Sequence, residues 1–262
     1  MFIVRDIQNE QDFRNINIDK VGVKNLRYPI FLSDKAYKRQ HTIAQINMYV
    51  NLPHNFRGTH MSRFVEILNR FHREIAIHNI GKILKTMKQE LNAESAHIEI
   101  TFPYFIEKKA PVSNLVGLME YRCKFIGNLS EKIQLILGVA VPITTLCPCS
   151  KEMAKVGAHN QRGEIRVEVR FKGFLWIEDL IAMIEDCGSS PVYSLLKRED
   201  EKFVTEHAFQ NPVFVEDVVR NVAQKLEQNP IITWYRIEAE SYESIHNHDA
   251  YASLEKKIVH SG

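Results

Sequence analysis

"HTIAQINMYVNLPHNFRGTHMSRFVEILNRFHREIAIHNIGKILKTMKQEL", His41 to Leu91, changes its period partway along. From His41 to Pro53 apolar and polar residues alternate, the pattern of a half-buried strand. Further on, Phe64, Ile67, Leu68, Phe71 and Ile75 recur at helical spacing. Gly81 is expected to break or bend that run, so two helices are predicted. The runs "SAHIEITFPYF" and "GLMEYRCKFIGNL" then read as strands. The first half is therefore strand, helix, helix, strand, strand.

The second half repeats that order. "EKIQLILGVAVPI" and "GEIRVEVRFKG" are predicted strands. "WIEDLIAMIEDCG" and "PVFVEDVVRNVAQKLEQN" are amphipathic helices, the second with Pro212 in its first turn. "ITWYRIEAESYES" and "DAYASLEKK" close the chain as strands. This order predicts an α+β fold of mostly antiparallel strands with helices gathered on one face. An internal duplication accounts for the element order, although no residue-level repeat accompanies it. Pro142 and Pro148 oppose helix continuation, so the Cys-Pro-Cys stretch is expected as a tight, extended turn at a strand end.

The chain of 262 residues suits one large domain or two modules, and 45% hydrophobic residues are enough for a core. Its 34 basic and 32 acidic residues leave a net charge of +2, no sign of a duplex-binding surface. No apolar run approaches the ~20 residues of a membrane span. The N-terminus "MFIVRDIQNEQDFRN" lacks a signal-peptide core. A cytoplasmic protein is expected, with neither nucleic acid nor membrane as partner.

Cys123 and Cys187 sit among apolar residues and are expected in the core. Cys147 and Cys149 lie in "TTLCPCSKEMAKVGAHNQRGE", between a strand-like run and a loop. A structural zinc site commonly uses two paired spacings, and only one close pair is present. A thioredoxin-like redox pair would want C-x-x-C near a βαβ unit. A catalytic metal site suits the pattern better, since it takes about three protein ligands and leaves a position for water. His159 is the nearest histidine downstream. "LLKREDEKFVTEHAFQNPVFVED" offers carboxylates, and "EAESYESIHNHDAYA" places Glu243, His246 and His248 together. An H-x-H pair on an extended segment points both rings to one side. The P-loop pattern of phosphoryl-transferring NTPases does not occur.

Taken together, "GTHMSRF", "TFPYFIEKKAPVS", "CPCSKEMAKVGAHNQR", "LLKREDEKFVTEHAFQNPVFVEDVVR" and "ESIHNHDAYA" resemble the prokaryotic type IB GTP cyclohydrolases of the GTP cyclohydrolase I family. The likeness runs from about residue 11 to residue 255. It implies a tunnelling fold of two fused modules and a homotetramer with sites at subunit interfaces. The chain would divide into an N-terminal arm (1–20), an N-terminal module (21–130) and a C-terminal module (131–262) carrying most site residues. The implied reaction converts GTP and water to 7,8-dihydroneopterin triphosphate and formate, the first step of tetrahydrofolate biosynthesis. In many bacteria the product also serves queuosine-type tRNA modification. The alternatives are a related tunnelling-fold purine or pterin enzyme giving a cyclic phosphate product, and a non-catalytic guanine-nucleotide binding protein.

Resemblance and donor chemistry together point to Cys147, His159 and Glu201 as ligands of one divalent metal per site: zinc, manganese or iron. Such a metal lowers the pKa of bound water to about 7. Glu243 and His246 are reserve ligands or partners that orient the others. Resemblance makes Cys149 a catalytic thiol that touches substrate, beside Cys147. His246 and His248 are natural proton shuttles to N7 and N9 of the purine, because imidazole titrates near neutral pH. The family match gives Glu216, in "FVED", the guanine N1–H and 2-amino group, which one carboxylate can take together. The ordinary reading of Glu216 is an acid favoured by a helix start. Lys197, Arg198, Arg63 and His60 are candidates for the triphosphate, with Lys108, Lys109, Lys151 and Arg162 as further cations.

Overall fold

In this computed structural model the described residues are 8, 10–71 and 75–258. The chain divides into two compact units. One comprises Met1–Pro103 and Lys124–Ile136, the other Tyr104–Cys123 and Leu137–Gly262.

The first unit opens with β1 (Ile18–Asp34) and β2 (Lys38–Leu52), an antiparallel hairpin. In β2 the alternation read from sequence buries Ala44, Ile46, Met48, Val50 and Leu52. Helices α1 (Met61–Phe71) and α2 (Ile77–Glu90) follow. Their stripe of Phe64, Ile67, Leu68, Ile80, Ile83 and Leu84 is fully buried. Gly81 does not break a helix as expected. It lies inside α2, where an added Cβ would come within 3.1 Å of Ile133. Ile75 and Ala76, just before α2, are the described non-helical residues. Strands β3 (Ala96–Lys109), β4 (Val116–Leu129) and β5 (Ile133–Leu146) each begin in one unit and end in the other. Gly127 of β4 lets α2 approach closely: a Cβ there would sit 2.5 Å from Ile80 and 2.9 Å from Leu84.

The second unit contains α3 (Pro148–Met153), β6 (Asn160–Phe171), α4 (Ile177–Glu185) and β7 (Ser190–Pro191). It continues with α5 (Arg198–Gln210), α6 (Val215–Glu227), β8 (Ile232–Ser241) and β9 (Ala250–Lys257). The nine strands form an antiparallel sheet with helices on one face, ordered β1-β2-β3-β4-β5-β6-β8-β9, and β7 pairs β5. The buried stripe of β6 (Ile165, Val167, Val169) lies on the same side as Tyr235, Ile237 and Ala239 of β8. Val218, Val222 and Leu226 of α6 are fully buried. Burying each such side chain contributes about 1.5–3 kcal/mol. On the opposite side Arg166 pairs with Glu164, Glu238 and Glu240 at 3.3, 3.0 and 3.0 Å.

Two expectations for this unit change. The Cys-Pro-Cys stretch is not an extended turn. Cys147 is extended (φ −67°, ψ 118°), but Pro148 opens a short helix. Proline is well suited to a first helical position, where its missing N–H has no intrahelical role. Helix α6 starts at Val215, so Pro212 precedes the helix rather than entering its first turn. Helix α5 occupies a stretch that the sequence marked only for its carboxylates. Asp200 anchors its start by accepting Lys197 N–H at 2.8 Å.

Candidate active site

Three neighbouring strands, β5, β6 and β8, deliver the candidate residues. The β5–β6 ladder runs to the pair Leu146–Asn160, where β5 ends. Cys147 follows at once, and its backbone N–H donates to the His159 carbonyl at 3.1 Å. The thiol-bearing and imidazole-bearing residues therefore face each other across one strand end. Cys147 also caps α3, its Sγ accepting from Ser150 N–H at 3.4 Å. Ser150 Oγ accepts from His159 N–H at 3.2 Å, which fastens α3 to the start of β6.

Strand β8 ends at Ser241, and Tyr242 N–H donates to the Arg162 carbonyl at 2.9 Å. This brings Glu243 beside His159, with 3.9 Å between Glu243 Oε2 and His159 Nδ1. The loop after β8 returns His246 edge-on to His159, ring centroids 6.2 Å apart. His246 and His248 stack at 5.2 Å and 20°, so both rings of the H-x-H pair lie together, on a loop. Cys149 is exposed in the first turn of α3.

Beneath these groups is a buried polar layer that sequence reasoning missed. Thr145, Gln161 and Ser241 are 3%, 9% and 1% exposed, at positions where each strand otherwise buries aliphatic side chains. Thr145 and Ser241 hydroxyls meet at 2.7 Å, and Gln161 Nε2 donates to both at 3.1 Å. A signal was available: Gln161 is in phase with Ile165, Val167 and Val169, so alternation alone places its amide inside.

Helices α5 and α6 border this corner. Lys151 of α3 donates to the Phe209 carbonyl at 2.5 Å, and Val213 N–H donates to the Leu146 carbonyl at 3.1 Å. The start of α6, with exposed Glu216, is thus held three residues from a contact with the end of β5. Asp217, not Glu216, performs the helix-start role, accepting Phe214 N–H at 3.2 Å.

Glu201 is exposed in the first turn of α5, while the contact with α3 comes from that helix's last turn. Eight residues of helix separate them, about 12 Å at 1.5 Å per residue. Among the described residues no three His, Cys, Asp or Glu side chains converge to hold a metal. What the strand ends do bring together is a thiol, imidazoles and a carboxylate, donors suited to a divalent ion such as zinc.

The candidate cations fare differently. Lys197 and Arg198 are exposed at the start of α5. In the other unit, Arg63 donates to the Glu90 carbonyl at 2.9 Å at the end of α2, and its backbone N–H donates to the His60 carbonyl at 3.2 Å. Lys108 is turned inward, paired with Glu185 at 2.5 Å and donating to the Val192 carbonyl at 2.8 Å. Burial lowers its pKa despite the Glu185 partner.

A family model described as type I GTP cyclohydrolase folE2 matches residues 4–252. A protein of Syntrophotalea carbinolica described as GTP cyclohydrolase FolE2 is 61% identical over 252 residues, covering 96% of this chain and 95% of the relative. One of Geobacter metallireducens with the same description is 59% identical over 256 residues, 98% of both chains. Among solved structures, uricase from Arthrobacter globiformis shares the fold with a TM-score of 0.52 at 6% identity, covering 93% of this chain and 96% of the uricase. A urate oxidase mutant from Bacillus sp. TB-90 gives 0.52 at 8% identity, with 92% and 98% covered. At such identity these likenesses speak for the fold alone, which is the tunnelling fold.

Proposed function

The chain belongs to the FolE2 family of type I GTP cyclohydrolases, distinct from the classical GTP cyclohydrolase I, and we propose on that premise that the strand-end cluster of the second unit is its active site. The protein is a GTP cyclohydrolase, the enzyme of the first step of folate biosynthesis. The reaction joins GTP and water to give 7,8-dihydroneopterin triphosphate and formate.

The observation that carries the site assignment is that the strand ends set Cys147 beside His159 through their backbones and bring Glu243 and His246 to the His159 ring. Cys147 and His159 are the metal donors of this proposal; Glu243 and His246 are nearer to His159 than Glu201, whose part as third ligand would need it brought in from the first turn of α5. A divalent metal held there, zinc, manganese or iron, supplies Lewis acidity toward water at C8 of the purine. His246 and His248 exchange protons with the ring nitrogens as the imidazole bonds open. The Cys149 thiol touches the substrate. Glu216, exposed in the first turn of α6, takes the guanine N1–H and 2-amino group. Lys197 and Arg198 serve the triphosphate, with Arg63 and His60 as further candidates.

The assembly we propose is a homotetramer with sites at subunit interfaces. Exposed Val112, Leu115, Val116, Leu118 and Leu195 support burial against another copy. No helix among the described residues is long and apolar enough to cross a membrane, and we place the enzyme in the cytoplasm. Incubation of metal-reconstituted protein with GTP tests the reaction. Formate release together with a pterin that fluoresces after oxidation is the expected result; a cyclic phosphate product by mass would assign the relative's reaction instead.

A further inference from the structure

We infer that Gln161 is a positioning residue that locks His159 in its Nδ1–H tautomer and so leaves the Nε2 lone pair as the donor to the divalent metal. The inference rests on the metal reading of the site. Gln161 is buried at the end of β6, and both ends of its amide are engaged. Its Nε2 lies 3.1 Å from Thr145 Oγ1 and Ser241 Oγ and 3.3 Å from Glu243 Oε1, three acceptors that share its two hydrogens. Its Oε1 meets His159 Nδ1 at 2.9 Å and accepts from Ser244 Oγ at 3.3 Å.

The direction of the amide follows from Glu243. An ionised carboxylate only accepts hydrogen bonds, so the group 3.3 Å from its oxygen must be the amide NH₂. Turned over, the amide would set a carbonyl oxygen against the carboxylate. With NH₂ toward Glu243, the carbonyl faces His159 Nδ1. A carbonyl cannot donate, so Nδ1 carries the hydrogen. In a neutral imidazole the lone pair then belongs to Nε2, the form in which histidine binds a metal. A ring N–H held by a fixed acceptor is the common means of orienting such a ligand.

One amide therefore aligns two candidate ligands, the imidazole of His159 and the carboxylate of Glu243. The buried Thr145–Ser241 hydroxyl pair holds that amide in turn. This polar group stands in the β6 stripe that otherwise buries Ile165, Val167 and Val169.

The test uses the intact protein with ¹⁵N-labelled histidine and three variants, Gln161→Met, Gln161→Glu and His159→Ala. In the metal-free wild type, the His159 ring ¹⁵N shifts should show hydrogen on Nδ1 and a bare Nε2. Gln161→Met should lose that pattern, and its zinc affinity in competition with a chromophoric chelator should fall about 10–100-fold. Gln161→Glu keeps an acceptor at Nδ1–H and should keep the hydrogen on Nδ1, although it sets a second carboxylate against Glu243 in place of the NH₂ donor. Circular dichroism and thermal midpoints monitor folding separately. Hydrogen on Nε2 in the wild type, or wild-type zinc affinity in Gln161→Met, would overturn the inference. If Gln161→Met does not fold, the wild-type tautomer decides alone. Unchanged zinc affinity in His159→Ala would remove the metal reading itself. Loss in His159→Ala with none in Gln161→Met would remove only the role of Gln161.

Discussion

The backbone N–H of Cys147 donates to the His159 carbonyl at 3.1 Å, one step past the last registered pair of β5 and β6. The two proposed metal donors are therefore placed by a sheet whose core, including Val141, Ile165 and Val167, is already closed by aliphatic packing. Folding should therefore not depend on a metal. Chelation should abolish turnover while far-UV circular dichroism stays within a few per cent of the untreated protein. Collapse of the spectrum along with activity would make the metal structural.

Cys147 has a capping role as well as a proposed ligand role, and serine separates them. Cys147→Ser keeps an acceptor for Ser150 N–H but replaces thiolate with a poor metal donor. Cys147→Ala loses both, with a cap cost of about 1 kcal/mol. Both variants should lose metal by elemental analysis, and only the alanine form should melt earlier. Cys149→Ala, altering an exposed first-turn thiol, should retain metal and lose turnover. Equal metal loss in Cys147→Ala and Cys149→Ala would end the division of roles.

Lys108 was a candidate phosphate cation from its motif, but its side chain is only 12% exposed and shares Glu185 Oε1 with the Tyr121 hydroxyl. Lys108→Met should destabilise by about 3 kcal/mol, because Glu185 keeps Tyr121 but loses its charge partner. At a temperature where the variant is folded, its KM for GTP should match the wild type. A raised KM with unchanged stability would return Lys108 to the substrate.

Asp200 ties α5 to the loop after β3. Its carboxylate accepts Val112 and Ser113 N–H at 2.8 and 2.9 Å, Ser113 Oγ–H at 2.6 Å, and Lys197 N–H at 2.8 Å. Desolvation raises its pKa, but these bonds together outweigh it and hold the pKa well below the usual carboxylate range. A depressed folded pKa gives stability that is full above the unfolded value of about 4 and is lost as pH falls through the folded value. Asp200→Asn should lower the thermal midpoint by several degrees at pH 7. The gap to wild type should narrow as pH drops below about 4. A gap independent of pH would show that the carboxylate charge is not what matters.

Elements with a strong periodic stripe were legible in the sequence: β2, β6 and α6 bury the stripes their spacing marks, and α1 buries Phe64, Ile67 and Leu68 while Phe71 is half-buried and Ile75 lies beyond the helix. Strand β1 was hidden because Pro29 lies within it and its register shifts twice, between Ile18 and Val21 and between Val23 and Leu26, the second around Asn25, whose φ is 62°. Pro29 is tolerated on this edge strand. Helix α5 was hidden because it lacks an apolar stripe; its buried residues are Asp200 and Ala208. At the site, residue types pointed to Cys147, His159, Glu243 and His246. Their adjacency required the strand pairing, which spacing does not encode. Gln161 lay within a quoted motif, yet its meaning depends on Glu243, 82 positions away.

Glu216 is the base-recognition residue we propose, and it also stands in the first turn of α6, where the helix dipole alone favours an acid. Asp217 accepts the Phe214 N–H that a helix-start acid would take, while Glu216 projects exposed from the same turn. That turn is tied to the strand end by Val213 N–H on the Leu146 carbonyl, the residue before Cys147. Glu216→Gln should leave folding and metal content unchanged, since no structural contact is lost. It should weaken guanine binding roughly a hundredfold or more, because the amide offers one acceptor and sets its NH₂ against a donor. Titration of a non-hydrolysable GTP analogue measures this directly. Asp217→Asn is the control: it weakens the helix start and should lower the thermal midpoint without changing nucleotide affinity in the folded protein. Unchanged affinity in Glu216→Gln would leave that residue as a surface acid and move guanine recognition to another group.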